Sequence, residues 1–181
     1  MLSHRGRSVT GMDQLPFRRE PVPVEVIRSP RRRATSQARL VAGRLVVRIP
    51  ATFTAEQEQE TVESFRGRFA RRLSSHHIDL VGRAEQLGRQ LGLPSPASIR
   101  WVDNQTTRWG SCTPSTGHIR MSRALAELPT WVIDYVLVHE LAHLVEANHS
   151  PAFWRLVERY RLAERARGFL IAKGLEGHEV I

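Results

Sequence analysis

A single cysteine, Cys112, is present in 181 residues. That count excludes an internal disulfide. It also excludes a cysteine zinc ribbon, which needs four closely spaced cysteine and histidine ligands. Long apolar runs are equally scarce. The longest apolar stretch lies around Trp131–Val138, far short of the roughly 20 residues of a membrane-spanning helix. The basic start, with His4, Arg5 and Arg7, lacks the apolar segment of a secretory signal, so the expected location is cytoplasmic and no membrane partner is expected. Lysine is almost missing: Lys173 stands alone among 27 basic residues. No internal repeat is visible.

The rest of the composition is that of an ordinary soluble globular chain, 41% hydrophobic and 25% charged. The net charge of +9 is placed unevenly: residues 1–100 hold 18 Arg against 9 acids, whereas residues 101–181 hold 8 Arg and Lys173 against 9 acids. An Arg-rich first half can attract nucleic acid or acidic proteins, but no nucleic-acid motif accompanies the charge. The plain reading is a solvated surface.

Residues 1–21 show no periodicity and read as a disordered basic tail, leaving 22–181 as a single domain. From Pro23 to Pro50 alternating apolar residues predict two or three antiparallel strands with a turn at Gly43. Thr54, with Gln57 three residues on, has the spacing of a capping box. The helical pattern that follows runs to about Leu91, and Gly82 and Gly88 suggest that it divides in two. Strands are expected at Ser98–Val102, Arg108–Cys112 and His118–Ser122. Thr130 is the expected cap of a helix that is apolar all round and therefore central. That helix should stop near Asn148, and Ser150-Pro151 should open a last helix reaching about Gly168.

The central helix carries His139-Glu140-Leu141-Ala142-His143. Two histidines four residues apart project from one helical face about a turn apart, as two ligands of one tetrahedral zinc must. Glu140 lies 100° round the helix from His139, placed to approach an open metal position without filling it and to take a proton from water there. With 8 His in this composition, chance yields such a match in about 3 chains of 100, and in about 1 of 1,000 when a third histidine at a fixed spacing is required. A hydrolytic zinc site needs a third protein ligand. His149, just past the expected helix end, supplies one if the chain turns at Glu146–Asn148; Glu158 or Glu164 is the fallback. The spacing 139, 143, 149 is that of metzincins, which place Gly where this chain has Glu146. Two uncharged histidines and a glutamate on so apolar a helix would cost several kcal/mol without a partner. Around this core, His118 is a candidate oxyanion stabiliser and Tyr135, one turn before His139, a candidate for the pocket wall; both are carried as substrate-binding candidates. Cys112 is either a zinc-blocking thiolate or redox sensor, or a small buried packing residue. Phe153 and Trp154 should pack the last helix against the motif helix.

Arg108-Trp109-Gly110-Ser111-Cys112, His118-Ile119-Arg120-Met121-Ser122, Asp134-Tyr135-Val136 through His143, Asn148-His149-Ser150 and Phe153-Trp154 together resemble the YgjP-like metallopeptidase family, related to the SprT-like and WLM groups of zincins. The resemblance is close over 108–154. It implies a zincin-like α+β fold, a small antiparallel sheet packed against the metal-binding helix. It also implies one Zn2+ held by His139, His143 and His149, with Glu140 as catalytic acid/base. It supplies no substrate. SprT-like relatives that cut DNA-crosslinked proteins usually carry an added zinc ribbon, and this chain has none.

The expected activity is therefore metal-assisted peptide hydrolysis by a zinc metallopeptidase on a protein or peptide substrate. The substrate strand should add to a sheet edge near His118–Ser122. The rival readings are hydrolysis of a non-peptide bond, and a non-catalytic nucleic-acid-associated module with structural zinc whose residues 1–100 meet phosphate.

Overall fold

The computed structural model describes residues 22–173. The tail expected over residues 1–21 lies outside the described residues. The chain divides into two units, the first ending at Val62 and the second beginning at Glu63.

The first unit holds a three-stranded sheet of β1 (Val24–Ser29), β2 (Gln37–Val41) and β3 (Arg44–Pro50), in the order β1-β3-β2. Ala42 and Gly43 join β2 to β3 with φ of 48° and 78°, the pair of positive values that a two-residue hairpin turn demands. Along β3 the alternate residues Leu45, Val47 and Ile49 are fully buried. The expectation of antiparallel pairing holds for β2 and β3 but not for β1, which runs parallel to β3 with Val24 opposite Leu45. The long connection through Arg31-Arg32-Arg33 first delivers the chain to β2, and the tight hairpin then inserts β3 between its predecessors. Helix α1 (Ala55–His76) starts at the capping box: Gln57 N–H donates to Thr54 Oγ1 at 3.2 Å, and Thr54 N–H donates to Gln57 Oε1 at 3.0 Å.

In the second unit α1 stops at His76, and Asp79 caps α2 (Leu80–Leu91) by accepting from Gly82 N–H at 3.0 Å. Gly92, at φ 65°, ends α2 in the left-handed conformation. A second sheet contains β4 (Ser98–Val102), β5 (Gly110–Thr113) and β6 (His118–Ser122) in the order β4-β6-β5. It is mixed rather than purely antiparallel: β6 runs parallel to β4 and antiparallel to β5. This order also corrects the expected substrate edge, because β6 is the central strand and both its edges are already paired. The open edge beside the motif helix belongs to β5.

Helix α3 (Thr130–Ala142) is the core of this unit. Ten of its 13 residues are buried, and α2, α4 (Pro151–Val157), α5 (Ala163–Ala172) and β5 all pack on it. Fully buried side chains such as Leu137 and Leu141 contribute about 1.5–3 kcal/mol each. Its one acid before the motif, Asp134, is met by a bidentate Arg83 from α2, with Nε–Oδ1 2.9 Å and Nη2–Oδ2 2.8 Å. Three expectations need correction. Pro129 takes the cap position and Thr130 is the first helical residue, with no side-chain cap. The helix ends at Ala142, well before Asn148, because the backbone tightens there: Leu144 and Val145 N–H reach back only three residues, to Leu141 and Ala142. The last helix is two, divided at Glu158–Leu162, where Tyr160 Oη donates to the Trp131 carbonyl at 3.0 Å. Ser150 caps α4 as expected, accepting from Phe153 N–H at 3.2 Å. Among the described residues no helix is long and apolar enough to cross a membrane.

Candidate metal centre

His139 lies in the last turn of α3 and His143 at its C-terminal cap. Their Nε2 atoms are 3.1 Å apart, and His149 brings its own Nε2 to 3.1 Å from that of His139. The ligating atoms of all three lie within 4.8 Å of one another. The turn that returns His149 to the helix admits Glu146 at the metzincin glycine position because Glu146 does not take a positive φ. Its N–H donates to Ala142 O at 2.9 Å, and its carbonyl accepts from His143 Nδ1 at 3.1 Å. That second bond sets the His143 tautomer, leaving the Nε2 lone pair free to face the other two rings. The fallback acids, Glu158 and Glu164, are no part of the cluster.

Three nitrogens converging in this way repel one another's protons. Burial, with the adjoining His143 and His149, pushes His139 down to about 2, and burial also lowers His143. His139 and His143 therefore present lone pairs toward the point at which His149 brings a third nitrogen, and a cation satisfies what protons do not. The chain's own donors can thus hold a metal ion.

Behind the nitrogens stands Phe153, fully buried, with ring centroids 4.7, 4.5 and 4.8 Å from those of His139, His143 and His149. Trp154 stacks on His149 at 5.7 Å. Read from sequence as helix-packing residues, the two aromatics are the wall against which the histidine rings are set.

The nitrogens open into a cleft of about 240 Å3 lined by Arg108 through Cys112, Pro114, Glu140 and Ala147. Glu140 is buried, 3% exposed. Burial pushes its carboxyl up to about 8, against the opposing pull of the Arg108 guanidinium. Gly110 on β5 lies against it: a Cβ there would meet Glu140 Oε1 and stand 2.8 Å from Cδ and from Cγ. Gly110 therefore serves as a close-approach glycine, which a glycine inside a strand can signal, although no short-range pattern marks its partner. Cys112 is half-buried in the wall, and burial, with Glu140 nearby, pushes its thiol up to about 11.

Two sequence candidates lie elsewhere. His118 is exposed at the start of β6, with Nδ1 2.8 Å from Ser98 Oγ, and does not line the cleft. Tyr135 is 1% exposed beneath the histidines, its ring centroid 6.4 Å from that of His139. It too is absent from the cleft wall, and the charges acting on it are those of Arg167 and Glu164 on α5.

Residues 13–163 match the family of the YgjP-like metallopeptidase domain. Among solved structures, the metallopeptidase zymogen abylysin of Pyrococcus abyssi is 26% identical, with a TM-score of 0.49, over 55% of this chain and 98% of that one. No curated protein matches the chain.

Proposed function

Since the chain belongs to the YgjP-like metallopeptidase family, we propose that it hydrolyses peptide bonds with one zinc ion held by His139, His143 and His149 and with Glu140 as general base. The observation that carries this reading is the meeting of three imidazole nitrogens and one buried carboxyl group in a single cleft. The spacing supports zinc: nitrogens of a tetrahedral site at 2.0–2.1 Å from the metal stand about 3.3 Å apart, close to the 3.1 Å between His139 and each partner. Zinc, when bound, polarises a scissile carbonyl and acidifies water.

Glu140 takes the proton of the attacking water and delivers it to the leaving amine. Gly110 sets how closely that carboxylate approaches the cleft floor. Phe153 keeps the imidazole planes fixed. The open edge of β5, whose Gly110, Ser111 and Cys112 line the cleft, offers main-chain groups to an extended peptide by strand addition. That arrangement favours unstructured protein over a folded surface.

The test is Glu140→Gln. Zinc content should equal that of the wild type, while casein cleavage falls by about 100-fold to 10,000-fold. Undiminished cleavage would remove Glu140 from the chemistry.

A further inference from the structure

A second cavity, of about 530 Å3, adjoins the cleft within the same unit, and Trp109 lines both. Its charged wall comes from Arg68 and Arg71 on α1, Arg123 after β6, and Asp103 after β4. Arg123 is already engaged, by Asp103 at 2.9 Å and Ser75 Oγ at 2.5 Å. Asp103 is thereby paired. Arg68 and Arg71 pair with no acid among the described residues. Arg68 rests 5.1 Å over the Phe65 ring, and Arg71 folds back beside Gly67. On the cleft side Arg108 likewise forms no ion pair among the described residues. Three guanidiniums without an ion-pair partner among the described residues thus line the cleft (Arg108) and the second cavity (Arg68, Arg71), with Trp109 in the wall of both.

A strand on the β5 edge would lead toward them. Trp109 and Arg108 immediately precede β5, so a peptide running beyond Gly110 meets Arg108 and then the cavity. The β5 edge pairs with main-chain N–H and C=O groups, which a peptide carries at nearly every residue and a phosphodiester backbone does not.

We propose that Arg108, Arg71 and Arg68 form an acidic-peptide subsite, which receives the carboxylates of a substrate segment extending past Trp109. The proposal rests on the peptidase reading and names its substrate class: unstructured chain with an acidic stretch on one side of the scissile bond. Guanidinium groups suit this because they grip carboxylates bidentately.

The experiment uses the full-length, zinc-loaded Glu140→Gln protein, so that peptides stay whole. Fluorescence anisotropy measures the binding of amide-capped peptides containing a run of Glu, of otherwise identical peptides containing Gln, and of oligothymidylate. At low salt the Glu peptide should bind about tenfold tighter than the Gln peptide. Arg68→Gln/Arg71→Gln, and separately Arg108→Gln, should each shrink that preference. Equal affinity for the two peptides overturns the proposal, as does tighter binding of oligothymidylate lost in the same variants, which would assign the surface to phosphate. Wild-type cleavage of the same peptides reads the chemistry separately. Selective binding without cleavage would sink the peptidase reading and leave the docking site standing, whereas cleavage indifferent to Glu or Gln would do the reverse.

Discussion

Replacing Gly110 by Ala adds one methyl group at the point where β5 touches the carboxylate of α3. The new Cβ would stand 2.8 Å from both Cδ and Cγ of Glu140. Carbon atoms pack no closer than about 3.5 Å, so one side must give by about 0.7 Å. β5 is tied to β6 by the sheet, and the backbone of α3 is enclosed in the core; the side chain of Glu140 is what can yield. A displacement on the order of 1 Å in a reacting group costs about 100-fold in rate, and overpacking of this kind costs about 1–3 kcal/mol in stability. The expected variant is folded, melts several degrees lower, binds zinc as the wild type does, and has kcat reduced by about 100-fold. Peptide turnover, metal analysis and a thermal melt on one preparation separate these effects. Wild-type kcat in Gly110→Ala would show that Glu140 is not held by this contact and would refute the assignment of Gly110.

Phe153→Leu keeps an apolar residue in α4 but withdraws the ring shared by all three histidines; zinc affinity, read by competition with a chelator, should fall by about tenfold or more, and unchanged affinity would reduce Phe153 to packing. Arg83→Ala strands Asp134, whose carboxyl burial already holds above its ordinary value against the pull of Arg83. Without Arg83 the folded state holds that proton more tightly than the unfolded chain does, so the variant should lose stability relative to wild type as pH rises from about 4 to 7, by about 1–3 kcal/mol at neutral pH. Urea melts at the two ends of that range should differ in the variant more than in the wild type; equal loss at both would contradict the sign. Cys112 should be a poor nucleophile: with its pKa near 11 in place of 9, alkylation at neutral pH should be about 100-fold slower than that of a free thiol, and rapid labelling would mean a thiolate.

The histidine cluster of the candidate site is far more legible in the sequence than the shape around it. The spacing of His139 and His143 translates into a shared face as soon as a helix is granted, because the helical period is fixed. Glu140, the capping box at Thr54 and the Ser150-Pro151 start follow from local rules of the same kind. Strand direction does not: alternation along Val24–Ile27 or Ser98–Val102 is identical for parallel and antiparallel partners, so nothing local marks β1 and β4 as parallel to their neighbours. The error over the substrate edge has the same root, since hairpin β5–β6 announces itself locally but nothing nearby says that β6 also pairs with β4. Tyr135 shows the limit of helical geometry. Its spacing from His139 sets a common face, but that face is wide enough for one residue to meet the cleft and the other to meet α5. Gly110 and Phe153 act through contacts 30 and 10 residues away in sequence with Glu140 and His143, a distance that local patterns do not span.

The three histidines differ in depth: His139 is 2% exposed, His143 half-buried and His149 exposed. This gradient has a kinetic consequence. Two arms of the centre take shape with the core itself, while the third sits on a surface turn whose opening costs little. Capture and surrender of an ion then require the movement of one residue rather than the unfolding of a domain. If the proposed zinc is held here, it should exchange with a chelator faster than the domain unfolds.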